Sequence, residues 1–333
     1  VVVDKENGGK ADALNAAISF ATGALVCAID ADTVIEPDAL QKLAVPFLED
    51  SGTIASGGTV RVANGCELEH ARVVARRPPT NWLAAIQAVE YPRAFLFGRL
   101  GWNRLGGNVI ISGAFGLFNR DLVLDAGGYA QDTVGEDMEL VLRLRKVAYD
   151  TGRSHRVSFL PDPVAWTEAP ETVRTLARQR NRWHRGLADV LWRHRQMIGN
   201  PRYGRMGTIV LPYYLLIELL APAVEAIGLI GLAAGLALGA IDIEFALLFA
   251  LLAYGVGVIL SMVALAMERR IDPEPMSYPE SLRQMGWVLV EQIGYRQATV
   301  VWRMWGLTSG LRGDKGWGAQ VRRGIRPTTE APA

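Results

Sequence analysis

The sequence predicts an α/β domain that runs into apolar helices, and three observations carry that prediction. Leu25 to Ile29 is an unbroken apolar run of strand length that ends in two carboxylates one residue apart, Asp30-Ala31-Asp32. A glycine-rich turn, Asn7-Gly8-Gly9-Lys10, stands before it and opens an alanine-rich segment of helical pattern. Residues 209–267 are mostly apolar, whereas 1–205 have the mixed composition of a water-exposed domain. The 333 residues suffice for one large domain or two, and a net charge of +1 gives no reason to expect a nucleic-acid partner. Cys27 and Cys66 form neither a disulfide framework nor a metal spacing, so a reducing cytosol is the default for residues 1–205.

Val1-Val2-Val3 reads as a strand and no initiator Met precedes it, so the chain is expected to be a fragment lacking an N-terminal part. Glycine-rich backbone before a helix N-terminus, with Lys10 beside it, suits an anion. The helix from Ala11 is expected to end near Gly23. Leu25 to Ile29, apolar on both faces, suits a buried parallel strand, and in open α/β sheets ligands bind beyond the carboxyl ends of strands. Asp30 and Asp32 would then meet a ligand and hold a hard divalent cation together with substrate phosphates. The same two residues also suit a turn or a helix cap. Glu36-Pro37-Asp38 opens a helix through Leu48, and Thr53 to Val62 reads as a strand in which Gly57-Gly58 marks a bulge or a close backbone approach.

Arg76-Arg77-Pro78-Pro79 breaks the chain before a helix carrying Trp82, Ile86, Val89, Phe95 and Phe97. That helix fits a membrane surface or, the preferred reading, the side of the domain. Val109 to Phe118 reads as a buried strand interrupted by Ser112-Gly113, small residues that let a bulky ligand approach, and Asp121 to Gly128 as a short helix. Gly135-Glu136-Asp137 precedes a helix with Leu140, Leu144 and Val147 on one face and Arg143, Arg145 and Lys146 toward another. Carboxylates at a helix start can serve the macrodipole alone, or Asp137 can act as a general base toward an attacking hydroxyl. Residues 172–198 form a long helical stretch in which Arg178, Arg182 and Arg185 line one face, and nine arginines fall between Arg174 and Arg205. Arginine forks match phosphate oxygens, and Trp183 offers a platform for a sugar ring; a solvated or lipid-headgroup-facing surface accounts for most of the others.

The order of Asn7-Gly8-Gly9-Lys10-Ala11, Asp30-Ala31-Asp32, Gly135-Glu136-Asp137 and Gln179-Arg180-Asn181-Arg182-Trp183 resembles the processive family 2 glycosyltransferases, the group of cellulose, chitin, hyaluronan and poly-N-acetylglucosamine synthases. The resemblance covers roughly residues 1–200 and implies a GT-A-like domain, partial at its start, with a nucleotide-diphosphate sugar donor, usually UDP-linked. It further implies an inverting displacement that adds a β-linked sugar to a polysaccharide acceptor. By that likeness Asp30 contacts the nucleotide and Asp32 ligates Mg²⁺ or Mn²⁺, while Asp137 deprotonates the acceptor hydroxyl. Gln179, Arg182 and Trp183 hold diphosphate and acceptor sugar; Lys10, Ser112 and Glu136 complete the expected substrate-binding set. Ile111-Ser112-Gly113-Ala114 stands where the cellulose synthases have a loop beneath the acceptor terminus, though the residues differ. The family's usual Thr before Glu-Asp is Gly135 here, expected to alter local stiffness more than chemistry, and the first strand with its base-recognising aspartate is missing. Transfer of one sugar to a lipid carrier, or a membrane receptor or scaffold with a degenerate transferase domain, are the competing readings.

Ile209 to Gly239 is apolar over 31 residues except for Glu218 and Glu225, about 46 Å of helix against a hydrocarbon core of about 30 Å. It is expected to break near Pro212 or Pro222, or to keep its first part outside the core. Phe245 to Met267 reads as a second span, and the flanking arginines place residues 1–205 and those after 268 on the cytoplasmic side of a membrane, expected to be a bacterial inner membrane. Met285 to Leu307 is read as interfacial or re-entrant rather than as a third span, because a span would export Arg312, Lys315, Arg322 and Arg323 of the basic tail, residues 311–333. Glu218 and Glu225 are seven apart, as are Arg296 and Arg303, so the two faces are expected to meet away from lipid, with interfacial snorkelling of the arginines as the alternative.

Overall fold

The computed structural model describes residues 2–70, 72–273 and 277–311. Residues 2–9 form no strand, and Val2 is fully exposed: an apolar triplet stays extended only where a neighbouring strand pairs it. Helix α1 (Lys10–Phe20) starts at Gly9, whose φ of 88° lies where glycine alone sits without strain, and Asn7 Oδ1 accepts the Gly9 N–H at 3.0 Å.

The central sheet runs β1 (Leu25–Ile29), β6 (Phe115–Asn119), β3 (Thr53–Val62), β7 (Arg156–Thr167), β2 (Val34–Ile35) in space. Only β3 and β7 are parallel. Strand β1 pairs antiparallel with β6, which corrects the parallel expectation: Val26 and Ala28 face the core while Cys27 and Ile29 face outward. An apolar run does not by itself report partner direction. Strand β3 lies where it was read, with a register shift between Gly58 and Thr59 and with Gly57 closed over by Ile111, where a Cβ would stand 2.8 Å away. The strand expected from Val109 is shorter, because Ser112-Gly113 turns the chain and residues 107–114 form a loop leading into β6. A second hairpin, β4 (Glu67–Glu69) with β5 (Arg72–Ala75), stands apart.

Helix α2 (Ala39–Glu49) begins after Asp38, so Pro37 lies outside it. Its Leu43 packs with Phe115, Leu117 and Ala165 on one side of the sheet. On the other, Ile18 of α1, Leu122 of α5 (Arg120–Asp125) and Leu140 and Leu144 of α6 (Glu136–Asp150) cover Val26, Ile54 and Val157. Arg145 of α6 is not on an outer face: it is buried, donates to the Asn108 carbonyl at 3.1 Å, and burial lowers its pKa to about 10.

Asn81 caps α3 (Trp82–Tyr91), which continues through a π-helical turn, Pro92–Phe97, into α4 (Gly98–Leu105). Leu83 and Ile86 are buried against Leu176 of α7 (Val173–Arg193), so the segment packs on the domain as preferred. Beyond α7, Met206–Ala237 is one helical stretch of 32 residues, long and apolar enough to cross a membrane. It comprises a π-helical turn (Met206–Val210), α8 (Leu211–Tyr213), a second π-helical turn (Tyr214–Leu219) and α9 (Ala221–Ala237). Its first part packs on the domain, with Met206, Val210 and Leu211 against Val109, Leu142 and Val190. Helix α10 (Ile243–Ile271) is the second such helix, and most of its apolar side chains, Phe245, Leu248, Leu252 and Ile259 among them, are exposed. Those side chains demand lipid or partner helices around them.

Helix α11 (Tyr278–Val290) and α12 (Arg296–Leu311) are separated by a break at Ile293 and Gly294, the latter at φ 78°. The segment is not one straight span. Helix α12 lies along α7 through glycines: a Cβ on Gly306 would stand 2.6 Å from the Asn181 carbonyl, and one on Gly310 3.3 Å from Arg185. The two charged faces meet as expected, Arg296 with Glu225 at 3.3 Å and Arg303 with Glu218 at 3.9 Å. The expected tail charges Arg312, Lys315, Arg322 and Arg323 lie outside the described residues.

Candidate active site

All nine residues singled out from the sequence line one cavity of about 920 Å³. Lys10 comes from the start of α1, Asp30 and Asp32 from the turn after β1, Ser112 from the loop before β6, Glu136 and Asp137 from the start of α6, and Gln179, Arg182 and Trp183 from α7. Five separate elements converge there.

Lys10 is the hub. Its ammonium lies 2.6 Å from Asp30 and 3.4 Å from Glu136 and donates to the Gly113 carbonyl at 2.9 Å. Burial works to lower its pKa, but Asp30 and Glu136 outweigh burial and raise it, so it stays charged. Glu136 is buried, and burial, then the Asp137 charge, push its carboxyl up to about 7 against the pull of Lys10. Asp137 accepts the Gly113 N–H on Oδ2 at 3.1 Å and the Met138 N–H on Oδ1 at 2.8 Å, which fixes the plane of its carboxylate. A Cβ on Gly113 would stand 3.0 Å from the Lys10 nitrogen and 3.2 Å from Asp137 Oδ2, so a glycine is what lets this loop touch both.

Gly135 has a packing reason. A Cβ there would lie 3.2 Å from the backbone of Gly186, and one on Gly186 3.1 Å from Gly135. The two glycines let the start of α6 approach α7, and this brings Asp137 beside the α7 side chains.

On α7 the cavity face is Gln179, Arg182 and Trp183, and Gly186, a spacing of three, four and seven. Arg178, Arg182 and Arg185 share a face of α7 as expected, but of the three only Arg182 lines the cavity: Arg185 is buried and packs under α12. Burial lowers the pKa of Arg182, opposed by Glu136, Asp137 and Asp30. Trp183 stands with Phe95 edge-on at 5.8 Å and with the Arg180 guanidinium 4.6 Å from its ring. Arg180 is buried, paired with Glu90 at 2.6 Å, and Glu90 accepts the Tyr295 hydroxyl at 2.6 Å as well. Phe95, Arg99, Tyr214 and Gly186 also line the cavity and were not among the residues expected there. Aromatic and basic side chains of an amphipathic helix carry no signal that separates a lining role from a packing one.

Among the described residues no group of three or more His, Cys, Asp or Glu side chains has the arrangement of a protein-only metal site. Asp30 and Asp32 instead supply the one or two carboxylates that a hard cation takes when phosphate oxygens complete its shell, so the donor set fits Mg²⁺ or Mn²⁺.

Residues 1–186 match the family described as glycosyltransferase-like family 2. The chain is similar to the poly-beta-1,6-N-acetyl-D-glucosamine synthase of Staphylococcus aureus, 32% identical over 214 residues, which cover 64% of this chain and 45% of that protein. The enzyme of the same description from Staphylococcus epidermidis is 31% identical over 192 residues, covering 57% of this chain and 42% of the relative. The chain thus spans under half the length of these curated relatives. A mannosyltransferase of Pyrobaculum calidifontis, solved with GDP-Man and Mn²⁺, superposes with a TM-score of 0.52 at 21% identity over 93% of this chain and 68% of the other. That likeness speaks to the fold, which is GT-A-like. On the match that runs through α1, the acidic turn after β1, the start of α6 and most of α7, this chain belongs to glycosyltransferase-like family 2.

Proposed function

We propose that the chain carries the transfer site of an inverting polysaccharide synthase that moves a sugar from a nucleotide-diphosphate donor, UDP-linked, to a growing β-linked chain at a membrane. The observation that carries this reading is the convergence of Lys10, Asp30, Asp32, Asp137, Gln179, Arg182 and Trp183 on one cavity.

The proposed chemistry follows from the side chains. Asp137, held by two backbone N–H groups, accepts the proton of the acceptor hydroxyl. The hydroxyl oxygen attacks the anomeric carbon as the bond to the diphosphate oxygen breaks, inverting the configuration. Lys10 and Arg182 meet the charge that develops on the departing diphosphate. A divalent cation held by Asp30 and Asp32 would supply further neutralisation of that charge. Trp183, fixed between Phe95 and Arg180, gives the acceptor ring an apolar face.

Residues 1–205 form the cytoplasmic transferase domain, 206–310 the membrane region and 311–333 a basic cytoplasmic tail. Two helices with exposed apolar surfaces, and arginines before the first and after the second, support that arrangement in a bacterial inner membrane.

The test uses the parent protein in membranes with Mg²⁺ or Mn²⁺ and reads UDP release from a panel of UDP-sugars, wild type against Asp137→Asn. One sugar is expected to support release that the variant loses by at least about a thousandfold, and product length then reads processivity. No turnover of any sugar by the intact protein would put the receptor or scaffold reading in its place.

A further inference from the structure

Arg99 lines the cavity and differs from Arg93 and Arg180, two arginines that do not. Arg93 pairs with Glu291 and Arg180 with Glu90, whereas Arg99 has neither an ion pair nor a hydrogen bond among the described residues. Its guanidinium lies between two aromatic faces, 5.1 Å from the centre of Phe95 and 5.7 Å from that of Phe159. Two cation–π contacts restrain the guanidinium, and its N–H donors make no hydrogen bond among the described residues. A half-buried cation without a partner is costly unless something else meets it.

The π-helical turn Pro92–Phe97 puts it there. That extra residue per turn, a feature frequent at functional sites, sets Phe95 between Tyr91, at 4.9 Å, and Trp183, at 5.8 Å, with Arg99 one turn further on. The result is one continuous wall of Trp183, Phe95 and Arg99 along the cavity. Burial lowers the pKa of Arg99, opposed first by Tyr214 and then by Asp137.

We infer that Arg99 is an acceptor-recognition residue that binds a carbonyl oxygen carried on the acceptor sugar, the oxygen of an acylamino group or of a ring carboxylate. A planar fork with parallel donors complements a planar oxygen acceptor better than it does a hydroxyl. The inference rests on the transferase reading above and adds the acceptor's chemistry to it.

The experiment measures UDP release by the membrane-embedded protein with added β-linked oligosaccharides of equal length. Their sugars are N-acetylated, de-N-acetylated, uronate-bearing or unsubstituted. Wild type is expected to show an acceptor KM at least about tenfold lower for one of the two carbonyl-bearing series, and that series names the source. Arg99→Met should erase the difference by raising KM for that series alone, with donor KM unmoved. Arg99→Lys, which keeps the charge and the packing stem but not the fork, should recover less than half of it. A preference that survives in Arg99→Met, an equal KM for all acceptors in wild type, or a donor KM that rises in step would each overturn the inference while leaving transfer intact. Absence of turnover in wild type would instead bring down the transferase reading beneath it.

Discussion

Two sets of charged side chains divide this molecule. Around the cavity, Lys10 is shared between Asp30 and Glu136, Arg182 feels Glu136, Asp137 and Asp30, and Glu136 is forced toward neutrality. Away from the cavity, charged side chains of different helices and turns meet in ion pairs: Glu90 with Arg180, Arg93 with Glu291, Glu218 with Arg303 and Glu225 with Arg296. Matched pairs can fasten helices. A crowded cluster in which partners are shared can rearrange around the charge of a ligand.

Breaking a matched, buried pair should cost most. Arg180→Met leaves Glu90 buried without its cation and should destabilise by about 3–5 kcal/mol, read as a lowered thermal midpoint in detergent. Adding Glu90→Gln should return most of the loss, and a double variant no better than the single one would show that Arg180 matters for packing rather than for charge.

The crowded cluster makes a prediction about pH. The Glu136 carboxyl sits at about 7 in the folded chain against an ordinary 4.5, so folding favours its protonated form. That contribution is complete below pH 4.5 and is lost as pH rises through about 7. Wild type should therefore lose stability relative to Glu136→Gln across that interval, by at most on the order of 3 kcal/mol, measured by denaturant midpoints without donor. Parallel pH curves for the two proteins would mean that Lys10 already holds Glu136 ionised.

The half-exposed pair should matter least. Arg296→Gln or Glu225→Gln is expected to change stability by no more than about 1 kcal/mol in detergent. Repeating the measurement in lipid nanodiscs tells whether the pair meets water or hydrocarbon, because a low-dielectric surround would enlarge the loss.

The sequence was most legible where local chemistry and chain geometry coincide. Lys10, Asp30, Asp32 and Asp137 stand at element ends, where glycine, a strand terminus or a helix start makes position readable. The pairing of Glu218 and Glu225 with Arg303 and Arg296 was readable because helical spacing alone aligns residues seven apart. Partner direction was not: nothing in Leu25–Ile29 tells that β1 runs against β6. Nor could spacing tell which side of α7 meets the cavity, since the choice between Gly186 and Arg185 depends on Gly135 and Gly310, more than thirty residues before and a hundred after. Arg99 was invisible for a related reason, as its neighbour Phe159 comes from a strand sixty residues away.

The contact of α12 with α7 has a consequence for the order of synthesis. Arg180 and Glu90 are both translated before the long apolar helices, but the hydroxyl that shares Glu90 belongs to Tyr295, 115 residues after Arg180. The groove over Asn181 waits longer still, for Gly306. The flank of α7 turned away from the cavity is therefore completed only by residues that are translated after both long apolar helices.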